Sequence, residues 1–347
     1  PFVTDAIRKR CENEVLGYTG KPDSYYNAII NWVKQRYDLI VTKEVINFVP
    51  GIVPGIGMAM NCFTQKGDKV MIQPPVYHPF AWVTTRNERT LVTNPLKWEN
   101  GMYRMDLDTF REQIKGCKLF ILCNPHNPGG VVWTEAELRA IADICYDEKV
   151  LVFSDEIHAD LTLPPHTHRP FATVSEKARM NSVTFMSPSK AFNMPGLSAS
   201  HALIFNEDLR KRFRIYMDAG ELDMGHVFAF LSVEAAYSHG TEWLDQCLAY
   251  IQGNIDFVDE FLKKHAPKIK AIRPEASYLV WLDCRELELS QKDLNEFFVD
   301  KAHLALNDGE MFGKEGIGFM RLNVASPRCI IEKAMKQLAD AYQLYIK

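Results

Sequence analysis

The 347-residue chain has no apolar run long enough for a helical membrane span, no internal repeat and no low-complexity segment. Those gaps set aside helical membrane proteins, solenoids and disordered linkers. Cysteine is sparse and unpatterned. The eight thiols (Cys11, Cys62, Cys117, Cys123, Cys145, Cys247, Cys284 and Cys329) form no C-x-x-C pair and no His/Cys cluster at metal spacing. A disulfide framework and a structural metal are therefore not expected, and reduced thiols in a cytoplasmic protein are. An excess of one charge is also lacking. With 40 basic and 44 acidic side chains the net charge is −4, so nothing recruits nucleic acid or an anionic membrane. The first residue is Pro1, with no signal-like n-region, and the expectation is that a native N-terminal piece is missing. That piece could contribute part of a substrate pocket.

What is present is a globular composition, 47% apolar and 24% charged, over a length that suggests two domains. Three short apolar runs read as buried strands, and each ends in polar residues. Lys118-Leu119-Phe120-Ile121-Leu122-Cys123 runs into Asn124-Pro125-His126-Asn127-Pro128-Gly129-Gly130. Val150-Leu151-Val152-Phe153 ends in Ser154-Asp155-Glu156-Ile157-His158, and Ser182-Val183-Thr184-Phe185-Met186 ends in Ser187-Pro188-Ser189-Lys190. In an open α/β sheet, ligands bind at the C-terminal strand edge. A lysine there, partly desolvated, has a lowered amine pKa and becomes a nucleophile toward carbonyls, although an idle loop lysine fits the segment taken alone.

Other stretches add candidates with ordinary alternatives. Val45–Val49 reads as a strand, followed by Pro50-Gly51-Ile52-Val53-Pro54-Gly55-Ile56-Gly57 opening an apolar helix. A glycine-bearing turn at a helix start can hold a phosphate on its free N–H groups, or can simply be a capped turn. Pro74-Pro75-Val76-Tyr77 follows a further strand at 69–73 and holds Tyr77 where it can lie flat on a ring, or sit half-buried in a loop. Thr134 with Glu137 gives a capping box for a helix over 134–147. Helical spacing is also read over 5–15, 24–37, 107–116, 207–218, 227–240 and 241–265. Strand–helix alternation from 45 to about 187 predicts a mostly parallel sheet, and the last ~80 residues change to α+β. There, strands are expected at 277–282 and 318–324, and helices at 291–301 and 329–345. Arg321 stands among apolar neighbours of a strand, so it either pairs with a protein carboxylate or grips a substrate carboxylate.

Asn127, Asp155 and Lys190, in this order and at these distances, resemble the fold-type I enzymes of the aminotransferase class that use pyridoxal 5′-phosphate. The resemblance covers essentially the whole chain. Val53-Pro54-Gly55-Ile56, Pro75-Val76-Tyr77-His78-Pro79-Phe80 and Ser154 through Leu161 bring it nearest to the MalY/PatB-like cystathionine β-lyases. Two positions depart from typical aminotransferases: His158 stands where they carry tyrosine, and Ser198 where they carry a phosphate-binding arginine.

The resemblance implies a large domain with a mostly parallel seven-stranded sheet over 45–245, a smaller α+β domain over 246–347, and an N-terminal segment over 1–44. It implies that Lys190 bonds the cofactor aldehyde and moves the Cα proton. Asp155 faces the ring nitrogen, Asn127 the phenolic oxygen and the substrate, and Tyr77 stacks on the ring. Gly55, Ile56 and Gly57 present N–H groups to the phosphate with Ser187 and Ser189. Tyr18 reaches the phosphate from a partner subunit, which makes a homodimer with the active site at its interface. Arg321 binds the substrate carboxylate. His158 either orients Asp155 or is inert. The implied reaction is α,β-elimination on S-substituted cysteines. Transamination, or a regulator with little turnover, is the alternative.

Overall fold

The computed structural model describes residues 1–345. Seven strands make the large sheet: β1 (Ile46–Val49), β2 (Lys69–Ile72), β3 (Thr90–Thr93), β4 (Cys117–Cys123), β5 (Leu151–Asp155), β6 (Ser182–Met186) and β7 (Ser200–Leu203). Their spatial order is β1-β7-β6-β5-β4-β2-β3. Neighbours from β6 through β3 pair in parallel, while β7 runs antiparallel to both β6 and β1. The strands are almost wholly apolar because both faces are covered. In β4, Leu119, Ile121 and Cys123 enter the core with Phe153 and Phe185, and Phe120 and Leu122 enter the opposite core with Phe110 and Val152.

This topology gathers chemistry on one edge. The C-terminal ends of β1, β4, β5 and β6 lie there, and the reversed β7 brings its first residues to the same edge. A second sheet comes from the C-terminal third: β8 (Lys270–Ile272), β9 (Leu279–Asp283), β10 (Asn307–Asp308) and β11 (Phe319–Asn323), antiparallel in the order β8-β9-β11-β10. The 25-residue helix Thr241–His265 leads into it and packs its Leu248, Ile251, Ile255 and Val258 with Met335, Leu338 and Tyr342 of the final helix, Arg328–Tyr345.

Most expected elements form, with several differences. The first helix occupies Phe2–Cys11 rather than 5–15. The stretch 291–301 starts as an α-helix, Gln291–Glu296, and widens to π-type turns over Phe297–Lys301. A helix at Pro79–Arg86, a hairpin pairing Lys97–Glu99 with Met102–Arg104, and strands β8 and β10 were not expected from the pattern.

Gly55 shows how tightly the helix Ile52–Phe63 is seated. A Cβ there would lie 2.9 Å from Val49 Cγ2, 3.0 Å from Val49 Cβ and 3.2 Å from Phe185 Cε1. Gly55→Ala is therefore expected to push the helix off β1 and β6 and to cost about 1–3 kcal/mol, the usual penalty of overpacking. Urea unfolding of the two proteins measures the difference.

Candidate active site

A cavity of about 500 Å³ opens at this sheet edge, within the usual size of a small-molecule site. β4 supplies Cys123 and, through the turn after it, Asn127. β5 supplies Asp155 and, through the turn after it, His158, and the loop after β6 supplies Ser189 and Lys190. Tyr77 and His78 close one side. Tyr278, Asn307, Arg321 and Asn323 come from the small sheet and its flanks.

Asp155 is buried, and its side chain accepts one hydrogen bond, from Ile157 N–H at 3.1 Å. It has no salt-bridge partner among the described residues. Burial pushes its carboxyl up to about 7 from the ordinary value near 3.8, Glu156 adds to the rise, and the Lys190 ammonium partly opposes it. Lys190 is half-buried, and its amine is lowered first by burial and then by the Arg321 charge. Both groups thus sit closer to neutral pH than in water, which suits proton transfer.

Arg321 projects from β11. Its Nη1–H donates to Asn127 Oδ1 at 2.9 Å and its Nη2–H to Asn307 Oδ1 at 2.8 Å. The guanidinium lies over Phe312, 4.6 Å from the ring centre, and Nε is buried without a partner. Burial lowers its pKa to about 10. No protein carboxylate pairs with it among the described residues. Of the two sequence alternatives for Arg321, an internal ion pair is therefore absent.

His158 lines the cavity and is buried, but it makes no hydrogen bond to Asp155, and its Nδ1 has no partner. The expectation that it orients Asp155 is not met in this geometry. Burial, with Lys190 and Arg321 nearby, lowers its pKa to about 3, so it is neutral at physiological pH. Tyr77 stands on the wall, its phenol pKa raised by burial and by Asp155.

The helix-start prediction needs correction. Ile52–Phe63 begins one turn before the amides that the resemblance assigned to the phosphate, and Gly55 N–H is spent on Gly51 O at 2.9 Å. Gly55, Ile56 and Gly57 lie inside the helix and off the cavity wall, which is formed by Pro50 through Pro54. A helix leaves its first N–H groups unpaired, so the free amides are those of Gly51, Ile52 and Val53, Pro54 having none. Gly51 takes φ +118°, a conformation open to glycine.

Ser189 reaches the wall, whereas Ser187 sits behind it. The Ser187 hydroxyl is bonded to Ser189 Oγ at 2.9 Å and to Ala199 O at 2.8 Å. Ser198, Ala199 and Ser200 join the wall because β7 is reversed. Tyr18 is 96% exposed and is not part of this cavity within one chain. Tyr278, Asn307 and Asn323 were not singled out in the sequence, and His78 appeared there only as part of the Pro75–Phe80 motif. Cys123 was visible in the sequence as the last residue of the apolar run 118–123, and the fold makes it the parallel-register neighbour of Asp155.

These residues fit an aromatic, cationic, phosphate-bearing cofactor. A buried carboxylate with no ion-pair partner among the described residues lines the space, and free helix-start amides and an amine border it.

The chain matches the description "Aminotransferase class I and II" over residues 4–338. It is 37% identical to cystathionine beta-lyase PatB of Bacillus subtilis, an alignment covering 98% of this chain and 88% of the relative. The fold superposes on cystalysin from Treponema denticola, which contains a pyridoxal 5′-phosphate cofactor, with a TM-score of 0.97 and 34% identity, over 100% of this chain and 88% of that one. It superposes on the pyridoxal-phosphate-bound C-S lyase of Staphylococcus hominis with a TM-score of 0.92 and 33% identity, over 98% and 88%. The strand-edge arrangement of lysine, aspartate and asparagine and these likenesses agree: the chain is a member of the class I and II aminotransferase family.

Proposed function

We propose that this protein is a pyridoxal 5′-phosphate-dependent carbon–sulfur β-lyase that eliminates a thiol from S-substituted cysteines, cystathionine among them. The observation that carries the cofactor assignment is Asp155, a buried carboxylate with no ion-pair partner among the described residues, on the same cavity wall as the half-buried Lys190. The reaction class is carried over from relatives named as a cystathionine beta-lyase and a C-S lyase.

The cofactor, when bound, supplies an electron sink for the carbanion at Cα. Asp155 would hold a proton on the ring nitrogen, Tyr77 would support the ring, and Asn127 and His158 would serve the phenolic oxygen. The amides of Gly51, Ile52 and Val53, with Ser189, would take the phosphate. Arg321 grips the substrate carboxylate with the N–H groups that its asparagine partners leave free. The Lys190 amine removes the proton from Cα, and the Cβ–S bond breaks to release a thiolate. The remaining 2-aminoacrylate hydrolyses to pyruvate and ammonia, so atoms and electrons balance without an oxidant.

Tyr18 completes the phosphate site from a second copy of the chain, in a cytoplasmic homodimer with domains divided near 44 and 245. Its exposure in a single chain is consistent with that role. Transamination uses the same residues and is separated from elimination by its need for a keto-acid acceptor. Replacing Arg321 with alanine is expected to raise KM for amino acids roughly 10- to 100-fold, the worth of a charge-assisted hydrogen bond. Steady-state kinetics measure it, and an unchanged KM would remove Arg321 from substrate binding.

A further inference from the structure

Arg321 owes its geometry to a residue outside every motif discussed so far. Its guanidinium is held at both terminal nitrogens by amide oxygens, from Asn127 on one side and Asn307 on the other. One face is covered by Phe312. The planar fork has five N–H donors. Two are used, leaving Nε–H and one N–H on each terminal nitrogen, with Nε buried and unpartnered.

Asn307 is placed with some care. It lies directly opposite Arg321 in the β10–β11 register. The adjoining Asp308 is clamped by Gln291 Nε2 and Asn295 Nδ2, and accepts the Glu310 N–H at 2.8 Å. Next along, a Cβ on Gly309 would stand 2.1 Å from Gly316 O and 2.4 Å from Phe319 O, so the chain crosses its neighbour at contact distance. A two-residue strand anchored at Asp308 and at the Gly309 crossing carries one side chain into the cavity wall, and that side chain meets the arginine.

We infer that Asn307 is a positioning residue for carboxylate recognition: it fixes the plane of the Arg321 guanidinium without neutralising it. An amide oxygen accepts a hydrogen bond yet brings no formal charge, so the arginine keeps its charge for the ligand. A carboxylate at the same place would form an internal ion pair and compete with the substrate. This inference rests on the reading of Arg321 as the substrate-carboxylate site.

The test uses the cofactor-loaded full chain and two ligands without a leaving group. L-Alanine carries an α-carboxylate, and ethylamine carries none. Binding of each is followed by the change in visible absorbance, in the parent protein and in Asn307→Asp, Asn307→Ala and Arg321→Ala. Asn307→Asp is expected to weaken L-alanine by about tenfold or more, since it occupies a charge-assisted partner, and ethylamine by less than about twofold. Asn307→Ala frees the fork without neutralising it and is expected to weaken L-alanine only about threefold, the loss of one hydrogen bond of orientation. Preserved ethylamine binding shows that the variants fold and hold the cofactor.

If Arg321→Ala weakens L-alanine while Asn307→Asp does not, the role of Asn307 is overturned and the carboxylate site stands. If Arg321→Ala leaves L-alanine binding unchanged, both fall together. An equal loss of both ligands in Asn307→Asp would mark Asn307 as a structural support, which also overturns the inference.

Discussion

Lys190→Ala is expected to fold, to lose covalent attachment of the cofactor, and to turn over substrate at least about 10³-fold more slowly, because one amine serves as both nucleophile and base. The structure gives the reason for expecting so large an effect. Lys190 is the only lysine on the cavity wall among the described residues. Its amine is destabilised as an ammonium by burial and by Arg321, which raises the fraction available as a free base. Removing it takes away a function that no neighbour can assume, since His158 is neutral and its pKa is far below the working range. Borohydride reduction followed by intact mass separates the outcomes. The parent chain should gain one cofactor and Lys190→Ala none. Equal labelling of the two would place the covalent bond on a different amine.

Asp155→Asn should lower turnover by about 10²–10³-fold, the range seen when one preorganised electrostatic partner of a reacting group is removed. The asparagine keeps the shape of the side chain but cannot hold a proton on the ring nitrogen as a charged partner does. A second consequence appears in the cofactor-free protein. The Asp155 carboxyl is raised by burial from its ordinary value near 3.8 to about 7. The folded chain therefore holds this proton more tightly than the unfolded chain. The stabilisation from that proton is fully present below about pH 4 and is lost as pH rises through about 7.

Asp155→Asn has no such group. Without cofactor, the parent should therefore lose stability relative to the variant between pH 4 and pH 7. With cofactor, a cationic ring nitrogen beside the carboxylate should reverse that loss. Urea unfolding at pH 5 and pH 7.5, with and without cofactor, measures both effects. A parent-to-variant difference independent of pH would mean that Asp155 is ionised and solvated in the empty site.

Much of the sheet edge was legible in the sequence for a simple reason. β4, β5 and β6 are continuous apolar runs because both of their faces are covered, and a polar residue after such a run must fall at the strand end. Asp155 and Lys190 therefore announced their positions, as did the asparagine-rich turn after Cys123, within which the family resemblance singled out Asn127. The phosphate cradle was misplaced because the resemblance assigned it to Gly55, Ile56 and Gly57, which the helix takes into its own hydrogen-bonded turns. Pro54 tolerates the first turn, which lacks intrahelical N–H bonds, so the helix starts at Ile52 and the free amides precede Gly55.

Asn307 carried no signal at all. A two-residue strand has no periodicity, and its importance comes from the opposite residue in a register that only the folded sheet creates. Tyr278 and Asn323 were hidden for a related reason, as they reach the cavity from the ends of a sheet assembled across more than forty residues. Ser198 through Ser200 came to the wall through the reversal of β7, which no local pattern specifies.

The most direct measurement is pyruvate release from L-cystathionine by the cofactor-loaded protein with no keto acid present, followed with a coupled dehydrogenase. Elimination predicts sustained release over many turnovers, with one thiol formed for each pyruvate. No pyruvate, together with a single conversion of the cofactor to its amine form, would contradict the β-lyase reading and assign the site to transamination.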